Sequence, residues 1–196
     1  MAIYYLKSPV SEEEVRKLRV GDIIYVSGLV VTARDAAHRR IIDYIREGKT
    51  LPVDLRNGVI YHCGPLVRKK DGEWEVISAG PTTSARLELY EPAVIEKVGV
   101  RVIVGKGGMG PKTAEACRKY GATYVTFTGG AGVLAANAIK KVVGVEWLDL
   151  GIPEALWIFE TKNFGPLIVT IDSTGRNYTE EIVKRAEARK SELLSK

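Results

Sequence analysis

The spacing of apolar and polar residues along the chain predicts alternating helices and strands. Ser11 and Glu14 have the spacing of a capping box, so a short helix that ends before Gly21 is predicted to open the chain. Residues 22–32 are rich in Ile, Val and Tyr, which predicts a strand. In residues 35–47 the apolar side chains recur on one face, which predicts an amphipathic helix. A strand therefore delivers the chain directly to the start of a helix.

The middle of the chain has the features of a β-rich segment. Strands are predicted at 58–62, 66–68 and 73–78, and the Asp71-Gly72 pair between the last two is a strong hairpin signal. Residues 80–84 then break the strand and offer several N-cap candidates for a following helix.

Strands and helices alternate again in the second half. The predicted strands are 102–104, 123–127, 145–150, 155–159 and 167–171, and the predicted helices are 111–120, one after Gly132 and a last one after Gly175. Strand and helix alternation is typical of βαβ units. With no internal repeat or linker in view, we expect a single α/β domain over residues 1–196 with a mixed sheet.

Composition and charge narrow the function classes. The chain is 45% hydrophobic and 27% charged, which is typical of a globular protein, and no apolar run reaches the roughly 18 residues that a membrane helix needs. The N-terminus lacks the pattern of a secretory signal, so a cytoplasmic protein is expected. A net charge of +5 leaves nucleic acid open, but the basic clusters lack interleaved aromatic residues, so no nucleic-acid partner is expected.

Neither the cysteines nor the histidines have the spacing of metal ligands. Cys63 and Cys117 are far apart and belong to no CxxC motif, so the chain cannot by itself ligate an iron–sulfur cluster or a structural zinc. We expect both cysteines to be reduced and buried. His38 and His62 are expected to be ordinary surface or capping histidines.

A glycine-rich segment at 105–110 satisfies the GxGxxG pattern between a strand and a helix. No acidic residue stands at 127–131, where a dinucleotide fingerprint needs one, and no Lys-Ser or Lys-Thr pair completes a Walker A motif. The remaining interpretation is a turn whose backbone N–H groups, helix N-terminus and Lys106 ammonium favour an anion. The alternative is that this segment is only a tight turn between a strand and a helix and binds no anion.

Two more strand-to-helix junctions carry cations. Residues 32–35 place Arg34 at a helix start, and residues 82–86 place hydroxyl groups at a cap with Arg86 one turn further on. Each arginine taken singly could equally be a solvent-exposed surface residue. Together with Lys106, however, two arginines on separate loops match a compact dianion.

These residues resemble those of the β subunit, or C-terminal domain, of class I iron–sulfur fumarate hydratases and the related tartrate dehydratases. The motifs that carry the resemblance occur in the family's order between about residues 20 and 175. They are Thr32-Ala33-Arg34-Asp35-Ala36-Ala37-His38, Gly64-Pro65, Gly80-Pro81-Thr82-Thr83-Ser84-Ala85-Arg86, Gly105-Lys106-Gly107-Gly108-Met109 and Gly129-Gly130-Ala131.

The resemblance implies a swivelling β/β/α domain and the reversible hydration of fumarate to L-malate, a reaction of the tricarboxylic acid cycle. It also implies a 4Fe–4S cluster whose three cysteine ligands belong to a partner α subunit, in a hetero-oligomer such as α2β2. By the same resemblance, Arg34, Arg86 and Lys106 hold the substrate carboxylates and Thr82 is the catalytic base. A hydroxyl needs a neighbouring cation to act as a base, and Arg34 or Lys106 is expected to supply it.

Three other functions stay open at this point. An L(+)-tartrate dehydratase β subunit would use the same cationic residues for a hydroxylated diacid. A nucleotide-binding regulatory module would use the glycine-rich turn. A structural binding subunit that has lost catalysis would need neither, although retention of Thr82, Arg86 and Lys106 argues against it.

Overall fold

The computed structural model describes residues 1–195, which form nine strands and six helices. The strands are β1 (Ile3–Ser8), β2 (Ile23–Thr32), β3 (Val59–Tyr61), β4 (Leu66–Lys70), β5 (Glu73–Ser78), β6 (Val102–Gly105), β7 (Thr123–Thr126), β8 (Ile139–Glu146) and β9 (Leu156–Ile171). The helices are α1 (Glu12–Lys17), α2 (Asp35–Arg46), α3 (Glu91–Ala93, continued as a π-helix over Val94–Val98), α4 (Pro111–Tyr120), α5 (Gly132–Ala138) and α6 (Tyr178–Leu194). Short 3-10 turns span Ser84–Leu87 and Leu148–Leu150. None of the helices within residues 1–195 has the length and apolar character needed to cross a bilayer.

A mixed sheet organises the chain. Within the described residues its strand order is β1-β2-β3-β6-β7-β9-β8, and β9 also pairs with β2. Strands β1, β2, β3, β6 and β7 run parallel to their neighbours, whereas β9 is antiparallel to both β7 and β2 and so closes the sheet into a barrel. The β4–β5 hairpin forms a separate small sheet. The expected α/β fold with a mixed sheet is confirmed.

Strand alternation builds a core on each side of the barrel wall. In β3, Val59 and Tyr61 belong to one buried cluster, and Ile60 between them belongs to the other. The second cluster joins the outer face of the sheet to the helices, for example through Ile41 of α2 and Cys117 of α4. Because successive strand residues point to opposite faces, these short strands are buried on both sides and are apolar throughout.

The capping box and the hairpin turn are confirmed. The Ser11 hydroxyl accepts a hydrogen bond from the Glu14 backbone N–H, and the Glu14 carboxylate accepts one from the Ser11 backbone N–H. Asp71 and Gly72 have φ angles of 51° and 85°, the left-handed backbone that a tight hairpin turn requires.

Three element predictions are wrong. The chain opens with strand β1 rather than with a helix, and in this edge strand the exposed residues Ile3, Tyr5 and Lys7 alternate with more buried ones. The strands predicted at 155–159 and 167–171 are one long strand, β9. The strand predicted at 145–150 is displaced, because β8 begins at Ile139 and the chain turns at Leu148–Leu150.

Candidate functional site

The three predicted junctions meet at one edge of the barrel. Strands β2, β3 and β6 are parallel neighbours, so their carboxyl ends lie side by side. Arg34 follows the end of β2, and Lys106 directly follows β6. The Thr82 N–H donates to the His62 carbonyl oxygen at 2.7 Å, which fixes the loop after β5 to the end of β3. In open α/β sheets, ligands bind outside the carboxyl ends of such strands.

Arg34 is the N-cap residue of α2, and its guanidinium packs against Gly64. Its Nε lies 3.3 Å from the Glu154 carboxylate, whose other oxygen accepts the Ala36 N–H at 2.9 Å. A Cβ atom on Gly64 would lie only 2.6 Å from Arg34 Nη1, so any larger residue at position 64 would displace the guanidinium. The side chain keeps 27% of its surface exposed. Arg34 is therefore held from two sides and still reaches solvent.

Arg86 joins the second junction to the first. Its Nη2 donates to Thr82 Oγ1 at 2.9 Å and to Asp35 Oδ2 at 2.9 Å. Asp35 is the first residue of α2, next to Arg34. A guanidinium beside a hydroxyl favours the deprotonated oxygen. The cation that contacts the Thr82 hydroxyl is therefore Arg86. From the sequence, Arg34 or Lys106 is expected in this position instead.

Lys106 is fixed through its backbone to the loop that carries Thr82. Thr83 and Lys106 form a parallel bridge, and the Ser84 N–H donates to the Lys106 carbonyl oxygen at 3.1 Å. The aliphatic part of the lysine passes close to Gly129, where a Cβ would lie 2.9 Å from Lys106 Cδ. Within residues 1–195 no carboxylate pairs with its ammonium group. The ammonium charge is therefore available to an anion.

The helix N-terminus after the glycine-rich turn is already occupied. The Glu88 carboxylate accepts hydrogen bonds from the N–H groups of Gly110, Lys112 and Thr113 and from the Thr113 hydroxyl, at 2.6 to 3.1 Å. In a dinucleotide-binding fold this position holds the pyrophosphate. A protein carboxylate in that place opposes phosphate binding, so the structure argues against the nucleotide-binding alternative. The expectation that this helix end favours an external anion is wrong.

His38 and His62 are completely buried, so the expectation of surface histidines is wrong. Both Nε2 atoms lie against the same oxygen of buried Glu91, His38 at 3.1 Å and His62 at 3.0 Å. Burial alone raises the pKa of Glu91, but the hydrogen bonds from the two histidines outweigh it and lower that pKa to about 2. The three groups lie directly beneath the site loops. Sequence spacing could not find them, because they come from α2, the end of β3 and α3.

The two cysteines have no thiolate character. Cys63 and Cys117 are both free and buried, in separate core clusters. Burial raises the pKa of both thiols. An iron–sulfur cluster needs deprotonated cysteine ligands that lie together, and these two residues do not fit it. The expectation of reduced, buried cysteines is confirmed.

The site residues lie on an open edge rather than in a closed cavity. A cleft of about 640 Å³ between the β4–β5 hairpin and the α5–β8 segment is lined by Trp74, Asn137 and Lys141 among others, and none of the four predicted site residues contacts it. The Arg86 side chain is 49% exposed. The chain thus presents three cationic side chains and the Thr82 hydroxyl at one open edge of the barrel.

The chain is similar to proteins of known name over most of its length. The chain is 46% identical over 189 residues to the L(+)-tartrate dehydratase subunit beta of Escherichia coli strain K12, covering 96% of this chain and 92% of the relative. It is 42% identical over 191 residues to a protein of Methanocaldococcus jannaschii provisionally named L(+)-tartrate dehydratase subunit beta, covering 97% and 98%. A Geobacillus stearothermophilus protein provisionally named fumarate hydratase class I is 44% identical over 180 residues, which are 91% of this chain and 34% of that relative.

The fold is a mixed α/β barrel that gathers cationic side chains at one edge. The family model described as Fumarase C-terminus matches residues 3–182. The chain belongs to the Fumarase C-terminus family.

Proposed function

We propose that this chain is the β subunit of a hydro-lyase that adds water reversibly to fumarate to give L-malate, acting together with an α subunit. The observation that carries the proposal is the junction of Thr82, Arg86 and Asp35, with Arg34 and Lys106 on the adjoining loops. Family membership and the names of the relatives support the same reaction class.

The cations suit a dicarboxylate. Arg34, Arg86 and Lys106 come from three separate loops, so they can approach the two carboxylates of a small diacid from different directions. Removing a proton from the carbon beside a carboxylate increases the negative charge on that carboxylate. Fixed cations at this point stabilise the developing charge without having to reorganise.

Thr82 is placed to move the proton. In the direction from malate to fumarate, Thr82 Oγ1 takes the proton from one carbon while hydroxide leaves the neighbouring carbon, and together these make one water molecule. The Arg86 Nη2 at 2.9 Å stabilises the oxygen in the state that accepts the proton. In the reverse direction Thr82 returns the proton to carbon as water adds.

The 4Fe–4S cluster belongs to the α subunit in this proposal, because the two buried cysteines of the present chain do not fit one. A shared site also accounts for the open position of the cations at the barrel edge. In this proposal the chain assembles with the α subunit in a hetero-oligomer, and the complex lies in the cytoplasm.

L(+)-tartrate is the second candidate substrate. It is favoured by two of the relatives above, whose names specify tartrate dehydratase and whose lengths match this chain almost end to end. Fumarate, L-malate and L(+)-tartrate all present two carboxylates to the same cations. The identities of 42 to 46% do not separate the two substrates.

The experiment is a substrate panel on the assembled α and β subunits with a reconstituted cluster. The wild type, Thr82→Val and Thr83→Val are compared, since Thr83 is an exposed neighbour of Thr82 and serves as the matched control. We expect Thr82→Val to abolish turnover of the preferred diacid and Thr83→Val to retain it. Equal activity of the two variants would contradict the role of Thr82, and turnover of tartrate alone would select the second candidate.

A further inference from the structure

An unbroken chain of hydrogen bonds runs beneath the site and ends on the backbone of two of its cations. At one end the Lys106 backbone N–H donates to Ser84 Oγ at 3.1 Å. Ser84 Oγ lies 2.9 Å from His62 Nδ1, and His62 Nε2 lies 3.0 Å from Glu91 Oε2. The same oxygen lies 3.1 Å from His38 Nε2. The other end is His38 Nδ1, 2.9 Å from the Arg34 carbonyl oxygen.

The acceptor-only carbonyl of Arg34 and the ionised carboxylate of Glu91 fix the direction of the bonds that reach them. A backbone carbonyl can only accept, so His38 Nδ1 carries a proton and donates to Arg34 O. A carboxylate also only accepts, so the Nε2 atoms of both histidines donate to Glu91 Oε2. Ser84 Oγ already accepts the Lys106 N–H, so we assign its hydroxyl proton to a bare Nδ1 of His62. His38 is therefore a doubly protonated imidazolium, and His62 is the neutral tautomer with its proton on Nε2.

The electrostatics of the buried groups agree with this assignment. Burial opposes a charge on His38, but its hydrogen bond to the Glu91 carboxylate and the charge of that group raise the pKa of His38. For His62 burial dominates, and the pKa is lowered. The pair of His38 and Glu91 is thus a buried, charge-neutral unit, while His62 stays uncharged.

Every member of the chain is inaccessible to solvent. Ser84, His38, His62 and Glu91 are each 0% exposed, so none of them can touch a substrate. Space around the serine is also tight, because a Cβ on Gly105 would lie within bonding range of Ser84 Oγ. Buried and directed networks of this kind hold one geometry, since any other arrangement leaves a polar group unpaired.

We propose that Ser84, His62, Glu91 and His38 are positioning residues that lock the Lys106 and Arg34 loops at a fixed separation. Their part in catalysis rests on the proposed function, whereas the protonation pattern does not. A displacement of about 1 Å at a site can cost on the order of a hundredfold in rate, so a rigid tie between two cationic loops has direct catalytic value.

Nitrogen NMR tests the protonation pattern directly. The chain contains two histidines, so the spectrum of a ¹⁵N-labelled full-length chain without a histidine tag contains the ring nitrogens of only two imidazoles. At pH 7 we expect one ring with both nitrogens protonated and one with a proton on Nε2 and a bare Nδ1. In Ser84→Ala the bare Nδ1 resonance shifts and the doubly protonated ring stays unchanged. Two neutral rings, or two rings whose Nε2 atoms are bare because a metal ion is bound between them, would overturn the assignment.

Kinetics of the assembled enzyme test the positioning role. Ser84→Ala is compared with Thr123→Val, which also removes one buried hydroxyl, the one that donates to Ile171 O at 2.7 Å at the opposite end of the parallel strands. We expect Ser84→Ala to lower kcat by about tenfold or more with little change in KM, and Thr123→Val to change kcat by less than about twofold. Similar kcat values for the two variants would overturn the positioning role. A wild-type complex that turns over no diacid would overturn the proposed function, and the NMR spectrum would still decide the protonation pattern.

Discussion

Arg86 donates a hydrogen bond from Nη2 to the Thr82 hydroxyl oxygen at 2.9 Å, and the same nitrogen donates to Asp35 Oδ2. The hydroxyl proposed to act as a base therefore has its own cation, and that cation is anchored to the first turn of α2. This contact couples the loop after β5 to the loop after β2.

Arg86→Lys is expected to impair the assembled enzyme although it keeps the positive charge. A lysine ammonium is a point charge on a flexible stem and does not reproduce the planar guanidinium between Thr82 and Asp35. Because a hydrogen bond to a charged group is worth about 1.5 to 3 kcal/mol, kcat/KM should fall by roughly tenfold or more. Steady-state kinetics check this, with the exposed neighbour variant Arg39→Lys as the control. Unchanged kcat/KM in Arg86→Lys would remove Arg86 from the site.

Lys106→Ala is expected to weaken transition-state stabilisation and leave the fold intact. The ammonium group pairs with no carboxylate among residues 1–195, so its loss breaks no internal ion pair. Loss of one preorganised charge stabiliser typically costs about 2.7 to 4 kcal/mol. The value of kcat/KM for the assembled variant gives this free energy, and circular dichroism of the chain checks the fold. A variant with wild-type kcat/KM would show that the lysine does not contact the substrate.

Glu88→Ala is expected to destabilise the chain. The carboxylate satisfies the N–H groups of Gly110, Lys112 and Thr113 at the start of α4. Loss of such a cap costs about 1 to 2 kcal/mol of unfolding free energy. Urea unfolding measures the change, with Glu187→Ala on the exposed face of α6 as the control. Equal stability of the two variants would mean that the α4 N-terminus is satisfied in another way.

The buried histidine pair predicts a pH dependence of stability with a definite sign. The folded-state pKa of His38 is raised above its ordinary value of 6.5, so the stability that His38 contributes is complete below that pH and is lost as the pH rises through the raised pKa. His62, whose pKa is lowered, is neutral in both states above pH 6.5 and adds nothing there. As the pH rises above about 6.5 the free energy of unfolding should fall, by at most about 1.4 kcal/mol per pH unit.

Glu91→Gln tests the origin of that slope. Without the carboxylate, the main cause of the raised pKa of His38 is gone, so the fall in the free energy of unfolding above about pH 6.5 should flatten. The variant should also be less stable overall, by about 3 to 5 kcal/mol, because a buried charge loses its partner. Urea unfolding at a series of pH values measures both effects, with Glu187→Gln as the control. A variant that keeps the wild-type slope would assign the pH dependence to other groups.

Local signals predicted the parts of this fold that local chemistry determines. Ser11 and Glu14 form their capping box, and Asp71-Gly72 turns its hairpin, because both depend on residues a few positions apart. Strand β9 was predicted as two strands, since Asn163 and Gly165 interrupt its apolar pattern. Its continuity comes from pairing with β2, β7 and β8, which are distant in sequence.

The candidate site likewise contains residues that local sequence signals indicate and residues that depend on distant contacts. The junctions indicate Arg34, Arg86 and Lys106, the family resemblance indicates Thr82, and the structure brings their loops to one edge. Glu88 and Glu91 could not be predicted, because acidic residues in a polar segment carry no signal of the partners that they find 20 to 50 residues away. Their roles follow from burial and tertiary contacts. The separate roles of Arg34, Thr82, Arg86 and Lys106 in the reaction stay predictions.

The central claim is that this chain supplies one half of a catalytic site. The most direct measurement is the rate of fumarate hydration when increasing amounts of this chain are added to a fixed amount of cluster-loaded α subunit. The account predicts no turnover by either chain alone and a rate that rises and saturates when the two chains are equimolar. Turnover by this chain alone, or a full rate from the α subunit without it, would contradict the account.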